Sequence, residues 1–194
     1  MMKYFKMPEF LFEVFGESQS LLEISCTAIF ALVGCYFIYS ISDIPLNSWQ
    51  AIIAFMLIAD VLAGCIANFT RGTNSFYSKR PTNRLIFIAI HVHLLVIAWL
   101  LSEPMNSALI VWSYTIVCAF VVNALKGDFV QVFIAANLMC YGIFLLVYLA
   151  LPTWFFIVAT FFMIKVLFSF AVDHYERFST ASSQGLANNK KGVR

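Results

Sequence analysis

Charged residues are scarce in this chain. Twelve Lys and Arg with ten Asp and Glu make up 11% of the 194 residues, against about 25% in an ordinary soluble protein. Hydrophobic residues make up 62%, and the mean hydropathy is +0.87. Such a composition excludes a disordered chain, a coiled coil and a nucleic-acid-binding module with a basic face. It predicts a protein that crosses the lipid bilayer several times.

Common catalytic and redox signatures are also missing. The sequence has no HExxH or GxSxG motif and no Walker or dinucleotide-binding pattern. Its five cysteines form no CxxC pair and fall inside apolar segments, which is typical of small buried hydrophobic residues. The sequence therefore assigns no cofactor and names no reaction.

Six long apolar segments alternate with short polar breaks. A membrane-spanning helix needs roughly 20 mostly apolar residues, and the segments that qualify are 21–41, 49–69, 85–101, 107–125, 129–149 and 153–172. The predicted fold is therefore all-α, a polytopic six-transmembrane-helix bundle over residues 21–178. Residues 1–20 precede it as a separate N-terminal segment, and residues 179–194 follow it as a flexible polar tail.

Basic residues are divided unequally between the two ends of these spans. Eleven of the twelve Lys and Arg lie on the N-terminal side, whereas the opposite side has only Asp43 and Glu103. The twelfth, Lys165, lies inside the sixth span. Because basic residues concentrate in cytoplasmic loops, this distribution predicts a cell (inner) membrane protein with both termini in the cytoplasm.

An amphipathic pattern near the N-terminus predicts a short interfacial helix over residues 8–17. Acidic residues repeat every four positions on one side, and apolar residues cover the other side. The acidic face would repel anionic lipid, so docking against the protein's own basic loop is as well supported as docking on the bilayer.

A few polar side chains lie within the apolar spans, where each charged group costs about 2.5–3.5 kcal/mol. They are Asp60 in span two, His91 and His93 in span three, Asn137 in span five and Lys165 in span six. At about 1.5 Å per residue, Asp60, His91, Asn137 and Lys165 lie roughly 10–13 Å from the basic end. The spacing predicts one polar level in the cytoplasmic half of the bundle.

Span two is predicted to be the organising helix. Its small residues Ala59, Ala63 and Ala67 repeat every four positions, which permits close helix packing and offers a face for homo- or hetero-oligomers. A polar row runs beside them through Asp60 and Asn68.

The two histidines of span three are two positions apart, about 200° around an ideal helix. They cannot share one face of such a helix, and depth favours His91 as the partner of Asp60.

The segment after span two is rich in hydroxyls, amides and cations, and includes Arg71, Thr73 and Asn74. It is predicted to be a loop that binds a phosphate, an anionic lipid headgroup or another small molecule. The alternative is that its cations only determine the topology.

The first functional hypothesis is an enzyme acting on a lipid or lipid-linked substrate at the inner leaflet. The predicted catalytic residues are Asp60, His91 and Lys165, with His91 as general base or metal ligand. The predicted substrate-binding residues are Asn68, Arg71, Thr73, Asn74, Asn137, Asp173 and His174. No metal is assigned, but if one binds, its ligands would be Asp60, His91, Asp173 and His174.

Three alternatives remain open. A small transporter or channel, proton-coupled through Asp60 and His91, suits six spans, although no span contains an interior proline that would break its helix. A non-catalytic immunity or assembly subunit would use the alanine row to dock a membrane partner. Finally, Asp60 and Lys165 could form an ion pair that only locks two helices together.

Overall fold

Helices account for most of the chain that the structure describes. This computed structural model describes residues 4–9 and 12–175. In chain order its elements are strand β1 (Tyr4–Lys6), helix α1 (Phe12–Phe15), strand β2 (Ser18–Ser20), and helices α2 (Leu21–Ser42), α3 (Trp49–Ala67), α4 (Arg71–Ser78), α5 (Pro81–Ile90), α6 (His93–Leu100), α7 (Met105–Ala124), α8 (Gln131–Tyr148) and α9 (Thr153–Met163). A π-helical segment, Ile164–Phe170, continues α9.

Six of these helical stretches are long and apolar enough to cross a membrane, as the sequence predicted. They are Leu21–Ser42, Trp49–Ala67, Pro81–Leu100, Met105–Ala124, Gln131–Tyr148 and Thr153–Phe170. Their ends lie within a few residues of the predicted ends. The third stretch consists of α5 and α6 with a break between them, and the sixth consists of α9 and the π-helical segment.

The three turns opposite the basic end share one pattern. Asp43, Ser102 and Ala150 each end a span with a positive φ, of 50°, 58° and 48°. A proline follows two residues after each of them. The left-handed residue terminates the helix and the proline prevents its continuation, so the spans are joined as three helical hairpins.

The N-terminal segment differs from the predicted interfacial helix. Within the described residues, the helix in this segment spans only Phe12–Phe15, and it lies between β1 and β2, which pair in antiparallel register. Gly16, with a φ of 68°, turns the chain into β2 and leaves no room for a side chain against the backbone of Gly72. This β-hairpin therefore docks on α4. Of the two docking alternatives, the structure contains the one against the protein's own basic segment.

The segment predicted as a polar loop is the eight-residue helix α4. Thr70 caps its N-terminus by accepting a hydrogen bond from the backbone N–H of Thr73. Phe76 and Tyr77 are buried on one face, whereas Arg71 and Lys79 are exposed. The strong separation of apolar and charged residues explains why this short polar sequence is helical: it covers the ends of the spans.

The sixth span is the most enclosed of the six. In its apolar window 61% of the residues are buried, against 39% in span two and 17% in span one. Helix α3 packs against α2, α6, α9 and the π-helical segment. The predicted central role of span two is therefore shared with span six, and the site lies between these two helices.

Candidate functional site

An ion pair joins the second and sixth spans. Lys165 Nζ donates to Asp60 Oδ2 at 2.6 Å and to the backbone carbonyl of Asp60 at 3.2 Å. The two side chains differ sharply in exposure: 4% for Lys165 and 49% for Asp60. The ammonium is therefore enclosed by protein, while the carboxylate remains open on one side.

Gly64 makes room for the lysine. A Cβ at this position would overlap Lys165 Cε and lie 3.0 Å from Nζ. The lysine stem therefore crosses α3 where that helix has no side chain. The amide of Asn68 donates to the carbonyl of Lys165 at 3.3 Å and fixes the same crossing from the next turn.

Lys165 lies in the π-helical segment, whose wider turns are uncommon and often occur at functional sites. Ser169 Oγ donates to the backbone carbonyl of Lys165 at 2.9 Å, so this carbonyl has a hydrogen-bond partner within the π-helical segment.

A break in span three brings both histidines to the ion pair. Helix α5 ends at Ile90, and His91 has a φ of −74° and a ψ of 74°. The Val92 N–H donates to the Ile90 carbonyl at 2.8 Å, which makes this an inverse γ-turn. Trp112 Nε1 from α7 donates to the His91 carbonyl at 2.8 Å and replaces a helical bond lost at the break.

His93, rather than the predicted His91, contacts Asp60. Its Nε2 lies 3.1 Å from Asp60 Oδ2. The Nδ1 of His91 bonds instead to the carbonyl of Phe87, and the two imidazole centroids are 5.2 Å apart. The expectation that the histidines lie on different faces is wrong, because the angular argument assumed a continuous helix.

These groups line a cavity of about 220 Å³ whose walls are Val14, Asp60, Gly64, Asn68, Phe87, Ile90, His91, His93 and Lys165. Ile90 is 61% exposed and belongs to the outer surface of the helices. The mouth therefore borders the surface that would face lipid. A second cavity of about 200 Å³ shares Phe87 and Ile90 and extends to Asn83, near the start of α5.

The dyad of Asp60 and His93 has the arrangement required for proton transfer. With a proton on Nε2, the imidazole donates to the carboxylate, and Nδ1 carries the lone pair of the neutral ring. Nδ1 is buried and has no hydrogen-bond partner among the described residues. An unpaired buried polar atom costs about 1–3 kcal/mol, so His93 is held in this orientation by its contact with Asp60 rather than by Nδ1.

The other predicted site residues of α4 and α8 have different roles. Thr73 Oγ1 donates to the Val14 carbonyl at 3.1 Å, and the Asn74 amide donates to the Val172 carbonyl at 3.0 Å. Both side chains are buried, whereas Arg71 is exposed. The amide of Asn137 donates to Phe133 in its own helix, and Asn137 does not line the cavity at Asp60.

Asp173 belongs to a separate polar cluster at the basic end. Its carboxylate lies 3.9 Å from Arg84 Nη1 and 3.7 Å from Lys126 Nζ, and its backbone N–H donates to Gln131 Oε1. Arg84 Nη2 donates to the carbonyls of Phe170 and Ala171, where span six ends. This cluster ties spans three, five and six together.

His174 packs between the rings of Phe69 and Phe168 and is hydrogen-bonded to the Phe168 carbonyl. Burial lowers the pKa of His174 below its ordinary value, although backbone carbonyls and Asp173 act in the opposite direction. The histidine is therefore a packing element at the basic end.

The four residues offered as metal ligands are not brought together. Asp60 and His91 line the cavity, whereas Asp173 and His174 lie at the basic end. Within residues 4–9 and 12–175 there is no group of three or more His, Cys, Asp or Glu side chains suited to a metal ion.

Sequence reasoning missed two contributors, His93 and Gly64. His93 was visible as a polar residue at the right depth, but ideal helix geometry argued against it. Gly64 lies in the polar row of span two, between Asp60 and Asn68, but its role depends on a lysine about 100 positions later in the chain.

No protein-family model, curated protein or solved structure matches this chain.

Proposed function

We propose that this chain is a membrane-embedded enzyme that converts a lipid or lipid-linked substrate by general acid–base catalysis. The observation that carries the proposal is the half-exposed Asp60 carboxylate, held by Lys165 and His93 in a cavity whose mouth borders the outer surface of the bundle. An ion pair that served only to lock two helices would need neither the cavity nor the second partner.

The roles follow from the contacts. Lys165 balances the charge of the Asp60 carboxylate through their 2.6 Å contact. The half-exposed carboxylate of Asp60 exchanges the proton with the substrate, and His93, in contact with that carboxylate through Nε2, takes up or returns the proton. Asn68 and Gly64 position Lys165. His91 lines the cavity beside His93 and shapes the substrate pocket.

The groove along α5 supports a lipid as the substrate. Its two neighbouring cavities run from Asn83 at the basic end to Asp60, and Ile86 and Ile90 on its walls are more than half exposed. An acyl or polyprenyl chain could remain among these side chains while its polar group reaches the dyad.

The test uses full-length protein reconstituted in bilayers of phosphatidylethanolamine, phosphatidylglycerol and a polyprenyl phosphate. Mass spectrometry would follow the consumption of each lipid. We expect the wild type to convert one of them and the variants Asp60→Asn and His93→Phe to lose at least about 100-fold in rate, as expected when general acid–base catalysis is removed.

Thr160→Val is the matched control, because Thr160 is a polar residue of span six whose hydroxyl donates to the Phe156 carbonyl of its own helix. It should retain wild-type activity. If folded wild-type protein leaves all three lipids unchanged, or if Asp60→Asn is as active as the wild type, the proposed enzyme is wrong.

A proton-coupled carrier is the second candidate. The observation in its favour is the broken third span with a polar site beside the break, since discontinuous helices form the binding sites of many carriers. Proteoliposomes containing a pH-sensitive dye would distinguish the two, because a carrier would change the internal pH when its solute is added and would leave the lipids intact.

A docking role remains the third proposal. Ala67 is buried and Ala63 packs against the core, so Ala59 is the member of the alanine row with most freedom to contact another chain. Cross-linking in the bilayer through a cysteine at position 59 would detect such an oligomer.

The proposed function also requires an orientation in the cell membrane. We propose that both termini lie in the cytoplasm, because the basic residues concentrate at that end of the bundle. Alkaline phosphatase fused after Glu103 should be active, and the same fusion after Lys79 should be inactive. The reverse result would place the site in the other leaflet.

A further inference from the structure

A third cavity, with a largely polar lining, lies at the basic end, outside the Asp60 site. It has a volume of about 170 Å³ and is lined by Tyr4, Glu17, Ser18, Arg71, Gly72, Ser75, Phe76 and Lys79. We propose that this cavity binds a phosphate group, carried by an anionic lipid headgroup. None of its lining residues lines the Asp60 cavity, and the proposal does not depend on catalysis there.

The charges of the cavity favour an anion. Arg71 and Lys79 are eight residues apart on one face of α4, with Ser75 between them. Neither cation forms a hydrogen bond or an ion pair with another residue in the described part of the chain. Glu17, the acidic residue of the lining, forms an ion pair with Arg80 at 3.0 Å. The negative charge of Glu17 is therefore balanced by Arg80, and the charges of Arg71 and Lys79 remain in excess.

The walls of the cavity are held in place from both sides. The opposite face of α4 is fixed by the hydrogen bonds of Thr73 and Asn74 to Val14 and Val172. The other wall is the β-hairpin, which is anchored through Gln19, whose amide donates to Thr70 Oγ1 at 2.6 Å. The backbone positions that carry the two cations are therefore fixed.

The position of α4 favours a lipid as the source of the phosphate. This helix connects the end of span two, at Ala67, to the start of span three, at Pro81. A helix between two such ends lies at the level of the headgroups, where basic residues attract anionic lipid. The volume of about 170 Å³ is sufficient for a phosphate group.

The chemistry of the contact would be charge-assisted hydrogen bonding. The guanidinium of Arg71 can give two parallel N–H bonds to phosphate oxygens, while Lys79 acts as a point charge. Ser75 and the backbone N–H of Gly72 supply further donors. A glycine at position 72 also permits the close approach of the hairpin, because a Cβ there would overlap the Ser18 carbonyl.

The experiment is native mass spectrometry of the purified full-length chain titrated with phosphatidylglycerol. We expect saturable binding that Arg71→Gln and Lys79→Gln each weaken about fivefold, the effect of one basic residue at a membrane surface. Lys6→Gln is the charge-matched control, because Lys6 lies on β1 and does not line the cavity. It should bind like the wild type, and the thermal unfolding of all three variants should be unchanged.

A second titration with inorganic phosphate separates the two sources of the group. If phosphate leaves the bound lipid in place, the ligand is the headgroup. If millimolar phosphate displaces it and the same two variants weaken phosphate binding, the cavity binds phosphate itself and the lipid assignment is wrong. The proposal would be overturned if Lys6→Gln and Arg71→Gln lost the same affinity for the lipid. It would also be overturned if Arg71→Gln and Lys79→Gln lost none. Because binding rather than turnover is measured, this failure is distinguishable from failure of the enzyme proposal.

Discussion

At the scale of single residues, the ion pair between Asp60 and Lys165 is asymmetric. The lysine side chain is enclosed and depends on the carboxylate, whereas the carboxylate is half exposed and also contacts His93. Removing one partner from a buried pair leaves an uncompensated charge, which costs more than the pair contributes. Replacing Asp60 and replacing Lys165 should therefore lower the free energy of unfolding by different amounts.

We expect Asp60→Leu to lower the free energy of unfolding by about 3–5 kcal/mol, because it strands the enclosed ammonium. Lys165→Leu should cost less than Asp60→Leu, because the carboxylate keeps His93 as a partner. The double variant Asp60→Leu/Lys165→Leu should recover most of the loss. Denaturant unfolding in detergent micelles measures all three, and equal losses for the two single variants would contradict the asymmetry.

A methyl group at position 64 tests the contact that positions the lysine. Gly64→Ala forces Lys165 to move, and overpacking of this kind costs about 1–3 kcal/mol. In a Lys165→Met background the substitution should cost much less, because Met lacks the charged end that must stay at Asp60. A double-mutant cycle measures this coupling, and additive losses would show that the two positions do not interact.

At the scale of secondary-structure elements, the third span is the one that departs from regular geometry. Its break at His91 and Val92 turns His93 toward Asp60, and the indole of Trp112 from the neighbouring span satisfies the exposed carbonyl. The break is therefore supported by a tertiary hydrogen bond. Phenylalanine at position 112 would remove that bond while keeping an aromatic ring against the core.

Trp112→Phe should reduce the free energy of unfolding by about 1–3 kcal/mol, the cost of one unpaired buried carbonyl. It should also lower any activity that depends on His93. Trp99→Phe is the control, because Trp99 is 67% exposed and should change stability by less than about 0.5 kcal/mol. A similar loss in both variants would mean that the hydrogen bond does not hold the break.

At the scale of the whole molecule, the two ends of the bundle are closed by different means. The end with few charges is closed by three short turns that share a left-handed residue followed by a proline. The basic end is closed by α4, the β-hairpin and the cluster of Arg84 and Asp173. The larger connections therefore lie at one end, together with the cavity lined by Arg71 and Lys79.

Arg84→Met should destabilise the whole bundle by about 3 kcal/mol or more, because it removes two hydrogen bonds to the end of span six and a neighbour of the buried Asp173. Arg71→Met removes the same charge from an exposed position and should change the free energy of unfolding by less than about 0.5 kcal/mol. Equal effects in thermal unfolding would show that the cluster at Arg84 does not hold the spans.

The sequence by itself determined the six spans, their turns and the polar level that contains Asp60 and Lys165. These depend on apolar length, on turn residues and on the cost of charge in hydrocarbon, which are local properties. The helix α4 was not predicted, because its segment is polar in composition and its apolar face becomes evident only when it covers the ends of the spans.

Only the tertiary structure decided which polar residues meet. His93 joins Asp60 because span three breaks, and the break is satisfied by a tryptophan from another helix. Lys165 reaches Asp60 because Gly64 leaves it space, while Asn137, at the same predicted depth, bonds to its own helix. Depth along a span follows from counting residues, but direction around it depends on helix irregularities and on contacts between residues distant in the chain.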